Sequence, residues 1–198
     1  MTQSELTIQK TDKNIVGHEV TDEALMITYA EGDASAFEQL YQRHKRVIFH
    51  FFIKQGLSTA IAEELCHDTW LKLINARKNY QVSAQFRTYL FTIARNTLID
   101  HKNKKSNQKE ETHADLTETP IALNNTDLSN QQRQLAQALT ANIAALPIEQ
   151  REVFLLKQES GFSIEQIAKI TAQHKEKVKS SWRYALQRLR KGLSDYVI

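Results

Sequence analysis

The chain has 198 residues, 41% of them hydrophobic, with a formal net charge of +3. That length holds one medium domain or two small ones with real cores, and no apolar run approaches the roughly 20 residues that cross a bilayer. One cysteine, Cys66, cannot close an internal disulfide, and no charged-then-apolar leader follows Met1, so the protein is expected in the cytoplasm, away from the membrane.

With five Gly and two Pro the chain carries little turn punctuation, and no segment alternates with period two. Both observations predict an all-α fold. Residues 1–21 are polar and aperiodic and read as a flexible tail. A first helix is expected near Asp22 to Ala30. A second begins at Asp33 or Ala34, with Phe37, Leu40, Tyr41, Val47, Ile48, Phe51 and Phe52 turned inward, and Gly56 ends it. A third starts near Thr59 and buries Ile61, Leu65, Thr69, Leu73 and Ile74, with Cys66 as a small core residue. A fourth runs from about Ser83 through Leu98 and Ile99 into Lys102, Lys104 and Lys105.

Residues 22–106 therefore form one helical domain. Residues 107–128 contain the acids Glu110, Glu111, Asp115, Glu118 and Asp127, while from Glu110 to Asp127 no Lys or Arg opposes them. Such a stretch buries too little apolar surface to offset its ordering entropy, so a flexible acidic linker is predicted. A second helical domain occupies residues 129–198.

In that second domain Pro147 opens a helix reaching Gln158, with Val153, Phe154, Leu155 and Leu156 expected as its apolar stripe. Ser160-Gly161 breaks it, and Ser163 with Gln166 makes a capping box for a short helix. After Thr171 to His174, the residues Val178, Trp182, Ala185, Leu186 and Leu189 fall on one helical face. The opposite face carries Lys175, Lys179, Ser180, Arg183 and Tyr184. Helix, short break and basic helix is how a protein lays a helix in the major groove, with cations on phosphates and a few side chains at base edges. An ordinary bundle with a solvated basic face competes with this reading. The charge balance favours the groove, because Lys175, Lys177, Lys179, Arg183, Arg188, Arg190 and Lys191 are opposed only by Glu176.

The first domain interleaves rings and cations along its fourth helix: Phe86, Arg87, Tyr89, Phe91, Arg95, Asn96 and Lys102. Rings offer stacking faces to unpaired bases while cations follow the phosphates, so this helix could hold a single strand, although the same rings could equally be core. His67-Asp68, with His44 or His50 and Asp100, formally matches the ligand series of a metal phosphohydrolase, a short and common pattern. No phosphate loop, cysteine cluster or nucleophile elbow accompanies it, and no metal or other cofactor is expected. A stand-alone helix-turn-helix regulator is the other alternative.

The run Phe86-Arg87-Thr88-Tyr89-Leu90-Phe91-Thr92-Ile93-Ala94-Arg95-Asn96, followed by Ile99-Asp100, resembles the promoter-melting segment of extracytoplasmic-function (ECF) sigma factors. Ala36 to Tyr41 and Ala62 to Leu73 resemble the helices before it. Ala145-Leu146-Pro147, Gln150 to Val153, Ser163 to Ala168 and Val178-Lys179-Ser180 resemble that family's minus-35 reading domain. The resemblance implies two helical domains of the sigma region 2 and region 4 kinds, core RNA polymerase and promoter DNA (duplex and single-stranded) as partners, a possible anti-sigma factor, and no enzymatic activity. It assigns Glu64, Asp68, Trp70 and Lys72 to polymerase docking. Asn79, Tyr80, Phe86, Arg87, Tyr89, Arg95 and Asn96 fall to the minus-10 strand, and Lys175, Lys179, Ser180, Arg183 and Tyr184 to the minus-35 duplex. The chain departs from the family in having Ser181 where Arg is frequent, Val82-Ser83 where Gly-Asp is frequent, and Thr171-Ala172-Gln173-His174 at a turn that commonly holds Gly.

Overall fold

A computed structural model describes residues 20–82, 85–109, 129–158 and 160–194, the side chains of 106–109 excepted. Among these residues the elements are α1 (Asp22–Ala30), α2 (Ala34–Lys54), α3 (Thr59–Ala76), a 3-10 turn (Arg77–Asn79), α4 (Phe86–Lys109), α5 (Asn130–Ala144), α6 (Ile148–Gln158), α7 (Ile164–Thr171) and α8 (Lys175–Gly192), with no strand. The fold is all-α. Most of the tail and the acidic segment read as a linker lie outside the described residues, but residues 107–109 extend α4.

Local chemistry sets most of the boundaries. The Thr21 hydroxyl accepts from the Ala24 N–H at 3.2 Å, and the Asp33 carboxylate accepts from the Ser35 N–H at 2.8 Å, so α1 and α2 each begin on a side-chain cap. Gly32 (φ 116°) and Gly56 (φ 88°) then turn the chain through backbone conformations that other residues resist. The start of α4 is capped from a distance: Glu23 Oε1 accepts from the Phe86 N–H at 2.8 Å. That bond fixes the helix three residues later than Ser83, where sequence spacing alone puts it.

Ser129 with Gln132 and Ser163 with Gln166 form complete capping boxes at the starts of α5 and α7. The turn after α7 places Ala172 in the left-handed region, at φ 52° and ψ 38°. A Cβ there is disfavoured and glycine carries none, so Ala172→Gly is expected to add about 1 kcal/mol of stability. Thermal melting should register roughly 2–4 °C.

The core continues from one helical group into the other. Phe52, Phe86, Leu90 and Phe91 join Val153, Leu156, Phe162 and Ile167 in one buried cluster. A second, smaller cluster holds Leu146, Phe154, Leu155, Ala185 and Leu189. Helix α6 serves both, which is why Val153 to Leu156 are buried in an unbroken run where a one-sided helix would show a stripe. Phe91 and Phe162 meet edge-to-face, ring centroids 4.9 Å apart, where α4 lies against α7. By contrast α5 has no buried residue, although Asn142 Nδ2 donates to the Gly192 carbonyl and ties it to the end of α8.

Candidate nucleic-acid interface

On α8, Val178, Ser181, Ala185 and Leu189 are buried and Trp182 stacks on Phe154 at 5.7 Å, which locks the helix by one face. The other face carries Lys175, Lys179, Arg183 and Tyr184 exposed, with Ser180 half-buried between them. The Arg183 guanidinium lies 5.4 Å from the Tyr184 ring. Lys179 pairs with Glu176 at 2.7 Å, Lys175 with Glu165 at 3.4 Å and Lys177 with Glu149 at 2.9 Å. Exposed pairs of this kind contribute little, so a phosphate can replace the carboxylate at small cost. Ser181, where the family often has Arg, faces the core.

The residues on and before α4 form a different kind of site. Tyr80 packs on Phe86 at 6.3 Å and on Tyr89 at 5.3 Å, so the sequence-predicted rings come together. Burial raises both phenol pKa values, and the Tyr80 hydroxyl is buried without a hydrogen-bond partner. Asn79 and Asn96 are exposed. Phe86 is 0% exposed and belongs to the core, so it supports the tyrosines from beneath and offers no open stacking face. Arg87 and Arg95 are also engaged: Arg87 Nη2 donates to the Ser160 carbonyl at 2.9 Å, and Arg95 Nε donates to Glu152 Oε1 at 2.8 Å.

Behind Phe86 stands His44, whose Nε2–H donates to Asp22 Oδ2 at 2.6 Å while its ring lies 5.5 Å from Phe86. Burial holds its pKa below the usual histidine value, outweighing the opposing pull of Asp22. The unfolded chain then binds a proton more readily than the folded one. Stability from this site is complete above the ordinary histidine pKa of about 6.5 and is lost as pH falls below it. Melting temperatures measured from pH 8 to pH 5 should therefore fall over the acid half, and His44→Gln should flatten part of that slope.

On α3, Glu64 is exposed, Asp68 half-buried, and Lys72 pairs with Asp100 at 2.7 Å. Trp70 is 5% exposed and packs against Phe37 and Tyr41, so it shapes this surface from below. Beside it an open groove is lined by Tyr41, Arg46, Phe49, Cys66, His67 and Trp70. Burial pushes the Cys66 thiol up to about 12, so it stays protonated and inert at neutral pH. Among the described residues no group of three or more His, Cys, Asp or Glu is placed to hold a metal ion. No described helix is long and apolar enough to cross a membrane.

Comparison with known proteins identifies both helical groups. The profile for Sigma-70 region 2 matches residues 40–108, and that for Sigma-70, region 4 matches residues 136–189. The RNA polymerase sigma factor CarQ of Myxococcus xanthus is 29% identical over 143 residues, covering 72% of this chain and 80% of that one. The ECF RNA polymerase sigma factor SigM of Mycobacterium tuberculosis is 25% identical over 173 residues, covering 87% and 84%. Among solved structures, the sigma factor RpoE in complex with the anti-sigma factor NepR from Bartonella quintana superposes with a TM-score of 0.69 at 25% identity, covering 80% of this chain and 96% of that one. CnrH in complex with the cytosolic domain of CnrY shares the fold, with a TM-score of 0.67 at 21% identity over 88% of this chain and 97% of that one.

Proposed function

This chain belongs to the ECF sigma factors, the promoter-directing subunits of RNA polymerase, and from that membership we propose which of its surfaces does what. Residues 22–106 dock on core polymerase and handle the minus-10 element. Residues 129–198 read the minus-35 duplex. The observation that carries the second assignment is the division of α8 into a locked apolar face and an open cationic one. Lys175, Lys179 and Arg183 neutralise phosphates there, with Ser180 and Tyr184 in reach of base edges.

For the minus-10 strand, Tyr80 and Tyr89 supply stacking faces over Phe86, with the exposed Asn79 and Asn96 as donors and acceptors and Arg87 and Arg95 as cations. Extracting a base costs a few kcal/mol, and the unpartnered Tyr80 hydroxyl is the kind of polar group that a captured base satisfies. The protein carries out no bond chemistry of its own; the polymerase does. Its place of work is the cytoplasm, where promoter and polymerase meet. By the precedent of RpoE with NepR, an anti-sigma protein is a further expected partner.

Polymerase docking falls to the exposed side of α3, through Glu64, Asp68 and Lys72 with Trp70 holding the surface in shape. Asp68→Arg is expected to lower affinity for core polymerase roughly tenfold or more, the scale of a like charge forced into an interface. Titration of labelled core measures it, and unchanged affinity removes α3 from the assignment. The test of the function itself is transcription reconstituted with core polymerase. Initiation at discrete start sites, absent without this chain, is the expected result. A chain that footprints duplex DNA by itself and adds nothing to core would be a free-standing regulator.

A further inference from the structure

Where the end of α2, the later half of α4 and the first turn of α6 meet, hydrogen-bond donors outnumber acceptors. Gln55 follows α2 and is 5% exposed, and its Nε2 is buried without a hydrogen-bond partner. Its carbonyl accepts from Arg151 Nη1 at 3.2 Å, while Arg151 Nη2 donates to the Leu146 carbonyl at 3.3 Å. The remaining nitrogen of that guanidinium, Nε, is buried and unpartnered. Lys102, half-buried on α4, makes no hydrogen bond or ion pair among the described residues. It stands within the field of Arg151: burial first, and then that guanidinium, hold its pKa below the usual lysine value, against the pull of Glu152. Glu152 is already engaged, because Arg95 Nε donates to its Oε1 at 2.8 Å.

Three cations, Arg95, Lys102 and Arg151, thus share one carboxylate. A half-buried excess of positive charge is costly unless an anion offsets it, and buried N–H groups without an acceptor add to that cost. Ammonium, guanidinium and amide N–H groups are donors of the kind that hold phosphate and sulfate. We propose that Lys102, Arg151 and Gln55 form a binding site for a small tetrahedral oxyanion, phosphate or sulfate, where α2, α4 and α6 meet. The ion accepts from Lys102 Nζ, Arg151 Nε and Gln55 Nε2 and offsets the two cations that Glu152 leaves unopposed. Gln55 Nε2 and Arg151 Nε lie out of reach of solvent, so the site suits a small free ion entering past Lys102 and not a nucleic-acid backbone. It is also remote from the paired tyrosines, Lys102 lying about 20 Å along α4 from Tyr89.

The test is thermal melting of the full chain in inorganic phosphate, with ionic strength held constant by sodium chloride. Phosphate should raise the melting temperature saturably, by roughly 3–6 °C once tenfold above its half-saturating concentration. Lys102→Met and Gln55→Met should each melt no lower than wild type without phosphate, because neither polar group has a partner to lose, and each should lose most of the phosphate shift. Lys104→Met, which removes an exposed ammonium from the same helix, should keep it. A shift that climbs without saturating, or one that both Lys102→Met and Gln55→Met retain, would mean an adventitious ion only and overturns the proposal. No shift at all overturns it as well, with chloride or water then serving the donors. Nucleic-acid phosphate is separated by a fluorescein-labelled single-stranded 20-mer, whose affinity Lys102→Met should lower no more than Lys104→Met does. A selective loss would put Lys102 on the strand-holding face and sink the separate site, while leaving the function proposed for that face standing.

Discussion

With Lys179 and Arg183 both replaced by Ala, initiation from a minus-35-dependent promoter is expected to fall on the order of a hundredfold, because truncating a side chain in the duplex-gripping role we propose for each costs about 1–3 kcal/mol. Both side chains lie on the open face of α8, and neither packs in the core, so the helix should keep its place. Affinity for core polymerase should not change. The salt dependence separates two roles for these cations: if both meet phosphates, the slope of log K against log salt should drop by about 2. A loss confined to particular minus-35 sequences, with the slope kept, would instead mark recognition of base edges. Equal loss of promoter use and core affinity would contradict the division of labour between the two helical groups.

Phe162→Ala is expected to destabilise the chain by about 3–5 kcal/mol, the range for deleting a buried aromatic ring. The ring fills the space between Phe91 and the start of α7, and it forms one face of the Arg87 site. Its removal should therefore lower the midpoint of chemical denaturation and loosen the fit between the groups together. Tyr184→Ala, which removes an exposed ring, is the useful contrast. A midpoint as little changed for Phe162→Ala as for Tyr184→Ala would mean that the ring is not packed where the structure puts it.

The elements that rest on local chemistry are legible in the sequence. Thr21 and Gly32 bracket α1, Asp33 and Gly56 bracket α2, and the Ser163 to Gln166 box opens α7, each a signal within a few residues of what it controls. Helix α5 does not stand out as an element of its own. Its Ser129 to Gln132 box is there to be read, but a helix that buries nothing lacks the apolar stripe by which helices are recognised.

What spacing cannot supply is the pairing of distant parts. Trp70 reads as a surface residue until Phe37 and Tyr41 cover it, and Arg87 and Arg95 read as free cations until Ser160 and Glu152 meet them. One clue to that meeting is visible in the chain. Four apolar residues in succession, Val153 to Leu156, cannot share one stripe, and so a second body has to cover the far side of α6.

The bond from Glu23 to the Phe86 N–H has a consequence for any shortened version of the protein. The first turn of α4 borrows its anchor from a carboxylate near the other end of the domain. A fragment trimmed past that acid would leave a bare amide where the tyrosine platform begins. It would keep its helix content and still misplace the Tyr80 and Tyr89 rings that we propose hold the unpaired bases.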